Sequence, residues 1–205
     1  MSTRERQRSG GRSEQVRASV ATAVLGFLAQ GRVGFSTVEV AQRAGVSRAT
    51  LYRWWPTHAD LLAEALAQHT RQLDVPDTGG WARDVRSFAH AVARFAADPV
   101  ELAMARSMAS GQHPEFNRAV VANYAPVVAA LNRLMDRAPG AQQVAPTIPA
   151  STLANTLMAP LFLGPLMTGS AVPPADVDAV VDLIVAAVRP ATGATARTVT
   201  TLLPG

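Results

Sequence analysis

Two residue types are missing altogether. There is no cysteine, which excludes disulfides and thiolate metal sites and fits a reducing compartment. There is no lysine either, so all 19 basic residues are arginine, a bias we attribute to composition rather than to function. No run reaches the ~18 uninterrupted apolar residues of a transmembrane helix. The nearest, "LMAPLFLGPLM" at 157–167, is short and holds two prolines. The first fifteen residues are charged and have no apolar centre, so no secretory leader is expected. The histidines, at 58, 69, 90 and 113, form no i, i+4 pair, and no metal site is expected. Walker, G-x-S-x-G and dinucleotide fingerprints are absent, so neither a cofactor nor catalysis is expected. A soluble, cytoplasmic protein with no membrane partner is expected.

What is present is an apolar chain with an uneven charge. Of the 205 residues 48% are hydrophobic, enough for one substantial core or two small ones. Residues 1–71 hold ten arginines against five acids; residues 72–205 hold nine against ten. A basic first third on a near-neutral remainder points to a polyanion partner for the N-terminal part.

The periodicity is helical throughout, and the expected class is all-α. Residues 1–12 read as a flexible basic arm. Ser13 can cap a helix over 14–29 with Val16, Val20, Val24 and Phe27 inward. Ser36 and Glu39 have capping-box spacing and open a short second helix. Gly45 ends it, Ser47 caps a third, Pro56 stops that, and a fourth begins near Thr57. "LDVPDTGG" at 73–80 reads as a domain boundary. Beyond it helices are expected at 81–97, 99–110, 114–136, 150–168 and 174–189, with Pro126, Pro160 and Pro165 kinking or interrupting them. The expected organisation is a DNA-binding domain at 13–72, a second helical domain at 80–190 and a flexible tail at 191–205.

Helix, "AGVS" turn, helix over residues 36–55 is the arrangement that lays a second helix in the DNA major groove. At about 100° per residue, Leu51 and Trp55 share the inner side. Ala49 and Arg53 lie opposite, Arg48 and Tyr52 form one flank, and Thr50 the other. Arginines there can reach guanine O6 and N7, and Ala49 or the Tyr52 ring a thymine methyl. Ser36, Ser47, Thr50 and Tyr52 suit phosphate contacts.

The stretch Val40-Ala41 followed by "RAGVSRATLYRWWPTHADLL" resembles the DNA-binding domain of the TetR (tetracycline-repressor-like) family, over about residues 14–70. The last two helices resemble those of one branch of that family. The resemblance implies a transcriptional regulator with a C-terminal helical ligand-binding and dimerisation domain. It adds Thr37, Trp54 and His58 to the DNA-binding set. Two positions depart from its pattern: the family usually has lysine where His58 stands and histidine or arginine where Trp54 stands.

In the second domain, Trp81, Phe88, Met104, Met108 and Phe162 are expected to line a cavity for a small apolar or aromatic effector, with Asn123 and Tyr124 as its polar contacts. Leu153, Leu157, Leu161, Val177, Val181 and Ile184 recur at helical spacing and are expected to form a homodimer interface. Two-fold symmetry then implies a palindromic double-stranded operator. The expected function is a dimeric repressor released by its effector. The alternatives are an activator of the same architecture, or a helical ligand-binding protein with a vestigial DNA-binding domain.

Overall fold

The computed structural model describes residues 3–139 and 148–188. The tail at 191–205 lies outside the described residues. Nine α-helices and no strand occur among them: α1 (Thr3–Leu28), α2 (Thr37–Ala44), α3 (Arg48–Trp54), α4 (His58–Thr70), α5 (Trp81–Ala96), α6 (Pro99–Ala109), α7 (Pro114–Asp136), α8 (Ala150–Thr168) and α9 (Pro174–Ala187).

The helix starts follow local chemistry. Ser36 Oγ accepts the Glu39 amide at 3.2 Å while Glu39 Oε2 accepts the Ser36 amide at 2.9 Å, a reciprocal capping box. Thr57 and Asp60 form a second box at the start of α4. Ser47 caps α3 by accepting the Thr50 amide at 3.1 Å. Such caps are worth about 1 kcal/mol each. Between α2 and α3, Gly45 takes φ 66°, a left-handed conformation in which a side chain is strained. The Val46 amide then bonds back to the Ala41 carbonyl at 3.1 Å, closing the turn.

Two apolar cores result. The first gathers Val20, Val24, Phe27, Phe35, Val40, Leu51, Trp55, Leu61, Leu62 and Leu66 from α1–α4 and the turns between them. The second gathers Val85, Phe88, Val92, Leu131, Leu134, Met135, Leu153, Leu157, Leu161, Val177, Val181 and Ile184 from α5 and α7–α9. Tyr124 packs against both.

Two expectations need correction. α1 begins at Thr3, so the segment read as an arm is helical from there, and Ser13 lies inside the helix. Arg, Glu and Gln favour helix and no proline interrupts them, which outweighs about 1 kcal/mol for each of Gly10 and Gly11. α7 runs through Pro126 and α8 through Pro160 and Pro165, so these prolines do not interrupt their helices. The turns around them are tied down by buried residues such as Leu131, Leu157 and Leu161. Packing also crosses the segment 73–80. Leu73 belongs to the second core, whereas Met104, Phe116 and Val120, from α6 and α7, complete the first.

Candidate nucleic-acid interface

α3 has only seven residues, too few to stand alone in water. It is held from behind. Leu51 and Trp55 are buried in the first core. The Trp55 indole Nε1–H donates to Glu64 Oε2 on α4 at 3.3 Å. The outer face is then set by helical geometry: Arg48, Ala49, Tyr52 and Arg53 are all exposed. Tyr52 is 50% exposed, high for so large an aromatic. Among the described residues, neither Arg48 nor Arg53 has an acidic partner within ion-pair distance. Two uncompensated guanidiniums and a phenol flank a small central residue on a helix that can enter a groove.

The remaining site residues take different roles. Ser36 donates its hydroxyl hydrogen to Glu39 Oε2 at 2.7 Å, so capping already uses it as donor and acceptor. Arg32 also pairs with Glu39 at 2.6 Å. Its guanidinium, with the two bonds from Ser36, holds the Glu39 carboxyl down at about 2. This pair offsets the negative charge of Glu39 at the start of α2. Ser47 and Thr50 share a hydroxyl contact of 2.9 Å, and Thr50 is half-buried. Thr37, the first residue of α2, is also half-buried. Trp54 departs from the outward set. It lies half-buried, with Arg17 of α1 over its ring at 5.7 Å and the Trp55 ring at 5.6 Å. Its position is about 60° from Leu51 around the helix, which turns it toward α1. His58 is exposed at the first position of α4, its ring 4.3 Å from that of Phe35.

The second domain does not bring its expected site residues together. Phe88 and Met104 are fully buried in different cores. Met108 and Phe162 are half-buried. Asn123 donates to Thr70 Oγ1 at 3.3 Å, and Tyr124 to Glu101. Only Trp81 of this set is in the wall of a described cleft, one of about 370 Å³ shared with Pro139, Val185 and Val188. Its indole donates to the Leu134 carbonyl at 2.9 Å. Inward helical spacing marks burial, and burial is as compatible with full packing as with a void. For the same reason the expected dimer residues need correction. Leu153, Leu157, Leu161, Val177, Val181 and Ile184 are buried within a single chain and cannot face a second copy.

Sequence reasoning also missed polar groups that act inside the fold. Asp84 is buried and accepts both the amide (3.0 Å) and hydroxyl (2.6 Å) of Thr78, and the hydroxyl bond holds its pKa below the ordinary value. Asp178 and Asp182 bind Arg86 at 2.6 Å each, and Asp178 also meets His90 at 2.9 Å. His69 and Glu101 are buried together. The last two join different helices far apart in the chain, so no local pattern announces them.

A short glycine-turned helix pair with an arginine-bearing outer face, mounted on a helical body, defines a helix-turn-helix DNA-binding protein. Residues 21–65 match the model of bacterial regulatory proteins of the tetR family, and residues 75–184 match the tetracyclin repressor-like C-terminal domain. The chain belongs to the TetR family of transcriptional regulators. It is 35% identical over 114 residues to the HTH-type transcriptional regulator AqdR of Rhodococcus erythropolis, which is 53% of this chain and 54% of that one. It is 41% identical over 66 residues to an uncharacterised HTH-type regulator, YdeS, of Bacillus subtilis, covering 30% and 33%. The matches thus span about half or less of these relatives. Among solved structures, the flavonoid-responsive regulator FrrA superposes with TM-score 0.63 at 22% identity, over 88% of this chain and all of that one. Bacillus subtilis FadR, solved with stearoyl-CoA, superposes with TM-score 0.64 at 11% identity, over 84% and 99%. At these identities the two establish the fold alone.

Proposed function

We propose that the protein is a homodimeric repressor that binds a palindromic operator and leaves it when a small apolar or aromatic effector binds. It works in the cytoplasm, where the DNA is, and performs no chemistry. The observation that carries the reading is the outer face of α3, where Arg48, Tyr52 and Arg53 stand exposed around Ala49. A vestigial domain need not keep two unpaired arginines over a well-capped, buried-anchor helix. Base contacts fall to Arg48, Ala49, Tyr52 and Arg53. Phosphate contacts fall to Thr37, Ser47, Thr50 and His58 and to the amides at the starts of α2 and α3. Trp54 supports this face through Arg17.

Dimerisation is assigned to the outward sides of α8 and α9. α8 carries no charged residue over its 19 positions. Leu163, Met167 and Leu183 remain 56%, 69% and 70% exposed in the single chain. Exposed leucine and methionine on two neighbouring helices support an association surface there. A second copy placed there gives the two-fold symmetry that one short helix needs for useful specificity. The effector is assigned to the apolar cleft beside Trp81, whose volume lies in the range of small-molecule sites.

The test is selection of binding sites from random duplex DNA by the full chain, followed by gel shifts with and without candidate apolar compounds. Enrichment of an inverted repeat supports the reading. Binding of all sequences alike would overturn it.

A further inference from the structure

α4 ends against the start of α6, and the two ends meet through buried polar groups. His69, in the last turn of α4, places Nε2 2.9 Å from Oε1 of Glu101, in the first turn of α6. Both side chains are more than nine-tenths buried. Tyr124 of α7 donates its hydroxyl to the same oxygen at 2.5 Å. On the far side of the imidazole, Gln72 Nε2 lies 3.3 Å from Nδ1. The directions agree when Gln72 donates to Nδ1, Nε2–H donates to Glu101, and Tyr124 donates beside it. Phe95 closes the site, its ring 4.7 Å from His69 and 6.2 Å from Tyr124. Burial, then the charge of Glu101, holds the Tyr124 phenol well above its ordinary pKa, so it stays a donor. The carboxylate sits at the positive end of α6, which lowers the cost of burying it.

Around this cluster the junction is mostly apolar, through Leu66, Met104, Phe116 and Val120. Apolar contact is non-directional and permits sliding. A buried hydrogen-bonded cluster has one good geometry, and contributes more to uniqueness than to stability. α4 is a rigid 13-residue rod, and five residues before His69 it carries Glu64, which holds Trp55 at the end of α3. The angle of α4 on the body therefore sets where the recognition helix points.

We propose that His69, Glu101 and Tyr124 are positioning residues that fix the angle of the DNA-binding unit on the body, and with it the half-site spacing that the protein accepts. This rests on the dimeric-regulator reading above. The polar cluster touches no DNA and adds little to stability; it selects one of the arrangements that the apolar junction alone would allow.

The test uses operators selected by the wild-type full chain, rebuilt with half-sites moved apart or together one base pair at a time. Binding to each is measured beside the melting temperature. The variants are Tyr124→Phe, which removes one hydroxyl, and the triple His69→Leu, Glu101→Leu, Tyr124→Phe, which replaces the cluster with apolar groups. Wild type should show a sharp spacing optimum. The triple variant should lose about tenfold at that optimum and respond more evenly to the other spacings, without a lower melting temperature. Tyr124→Phe should shift in the same direction by less. A folded variant with the wild-type optimum and affinity would overturn the proposal. So would a loss that merely follows unfolding and disappears on cooling. If the triple variant does not fold, Tyr124→Phe decides by the same criteria. If wild type selects no sequence, or a half-site with no preferred spacing, the dimeric-regulator reading fails first and this inference with it.

Discussion

Trp55 and Glu64 join the recognition helix to the helix behind it: the indole Nε1–H of one meets Oε2 of the other at 3.3 Å. Gln68 steadies the same carboxylate by donating to Oε1 at 3.1 Å. Because α3 is too short to hold itself, its position is that of its buried side. Trp55→Ala should therefore destabilise the protein by about 3–5 kcal/mol. Glu64→Ala should cost about 1 kcal/mol, through the lost hydrogen bond. Urea denaturation followed by circular dichroism measures both. Equal midpoints for wild type and Trp55→Ala would show that α3 is anchored some other way.

On the outer face of the same helix, Arg48→Ala and Arg53→Ala should each weaken operator binding by about 1–3 kcal/mol and relax preference at one position per half-site. Melting temperatures should not change, since both side chains are exposed. Removal of residues 1–12 should instead weaken all sequences alike and reduce the slope of binding against salt. Gel shifts across a salt series distinguish the two patterns. Unaltered sequence preference in both arginine variants would refute the assignment of α3.

His58→Lys places a fixed charge where an exposed imidazole now stands. Operator affinity at pH 8 should rise. The melting temperature should fall slightly, because the ring contact with Phe35 is lost and a cation at a helix start opposes the dipole by about 0.3–1 kcal/mol. Unchanged affinity would mean that position 58 faces no phosphate.

The helices and the turn were legible because their signals are local. Ser36 with Glu39, Ser47, Gly45 and the prolines at 56, 99 and 114 each act within one turn, and eight of nine helices begin within a residue or two of the expected place. The outward set on α3 was legible for the same reason: once Leu51 and Trp55 face in, the others have nowhere else to go. What could not be read was the choice between two apolar sides. α8 is apolar on every side from Leu157 to Met167, so periodicity names its strongest stripe, Leu153, Leu157 and Leu161, without saying whether that stripe meets its own chain or a second one. The outward Leu163 and Met167 carry the weaker signal. His69 and Glu101 were illegible for a related reason: polar residues at helix ends look like solvent-facing residues until the tertiary fold joins the ends.

The two stripes make a contrasting pair of variants. Leu157→Ala, in the core of the chain, should lower stability by about 2–5 kcal/mol and leave the assembly state of the folded protein unchanged. Leu183→Glu, on the exposed side of α9, should leave the protomer folded and halve the mass seen by sedimentation. Operator affinity should fall with the dimer. A Leu183→Glu protein that sediments as wild type would remove this face from the interface.

α9 is also tied to α5 by charge, and that tie should have a pH signature. Arg86 bonds Asp178 and Asp182, and His90 reaches Asp178 from one turn further along α5. The bond from His90, then that from Arg86, holds the Asp178 carboxyl below its ordinary value of 3.8, while the two aspartates raise Arg86. A carboxyl with a lowered folded pKa stabilises the fold fully above its unfolded value. That contribution is lost progressively as pH falls from about 3.8 through the lower folded value, because the unfolded chain takes up the proton first. Asp178→Asn should thus melt below wild type at neutral pH. The gap should close on acidification and vanish once Asp178 is protonated in both states. The clasp is largely solvent-exposed, so the shift should be small and should shrink with salt. Thermal melts of the two proteins from pH 7 downward, at low and high salt, measure it. A gap that stayed constant through the acid range would assign the effect of the substitution to packing rather than to charge.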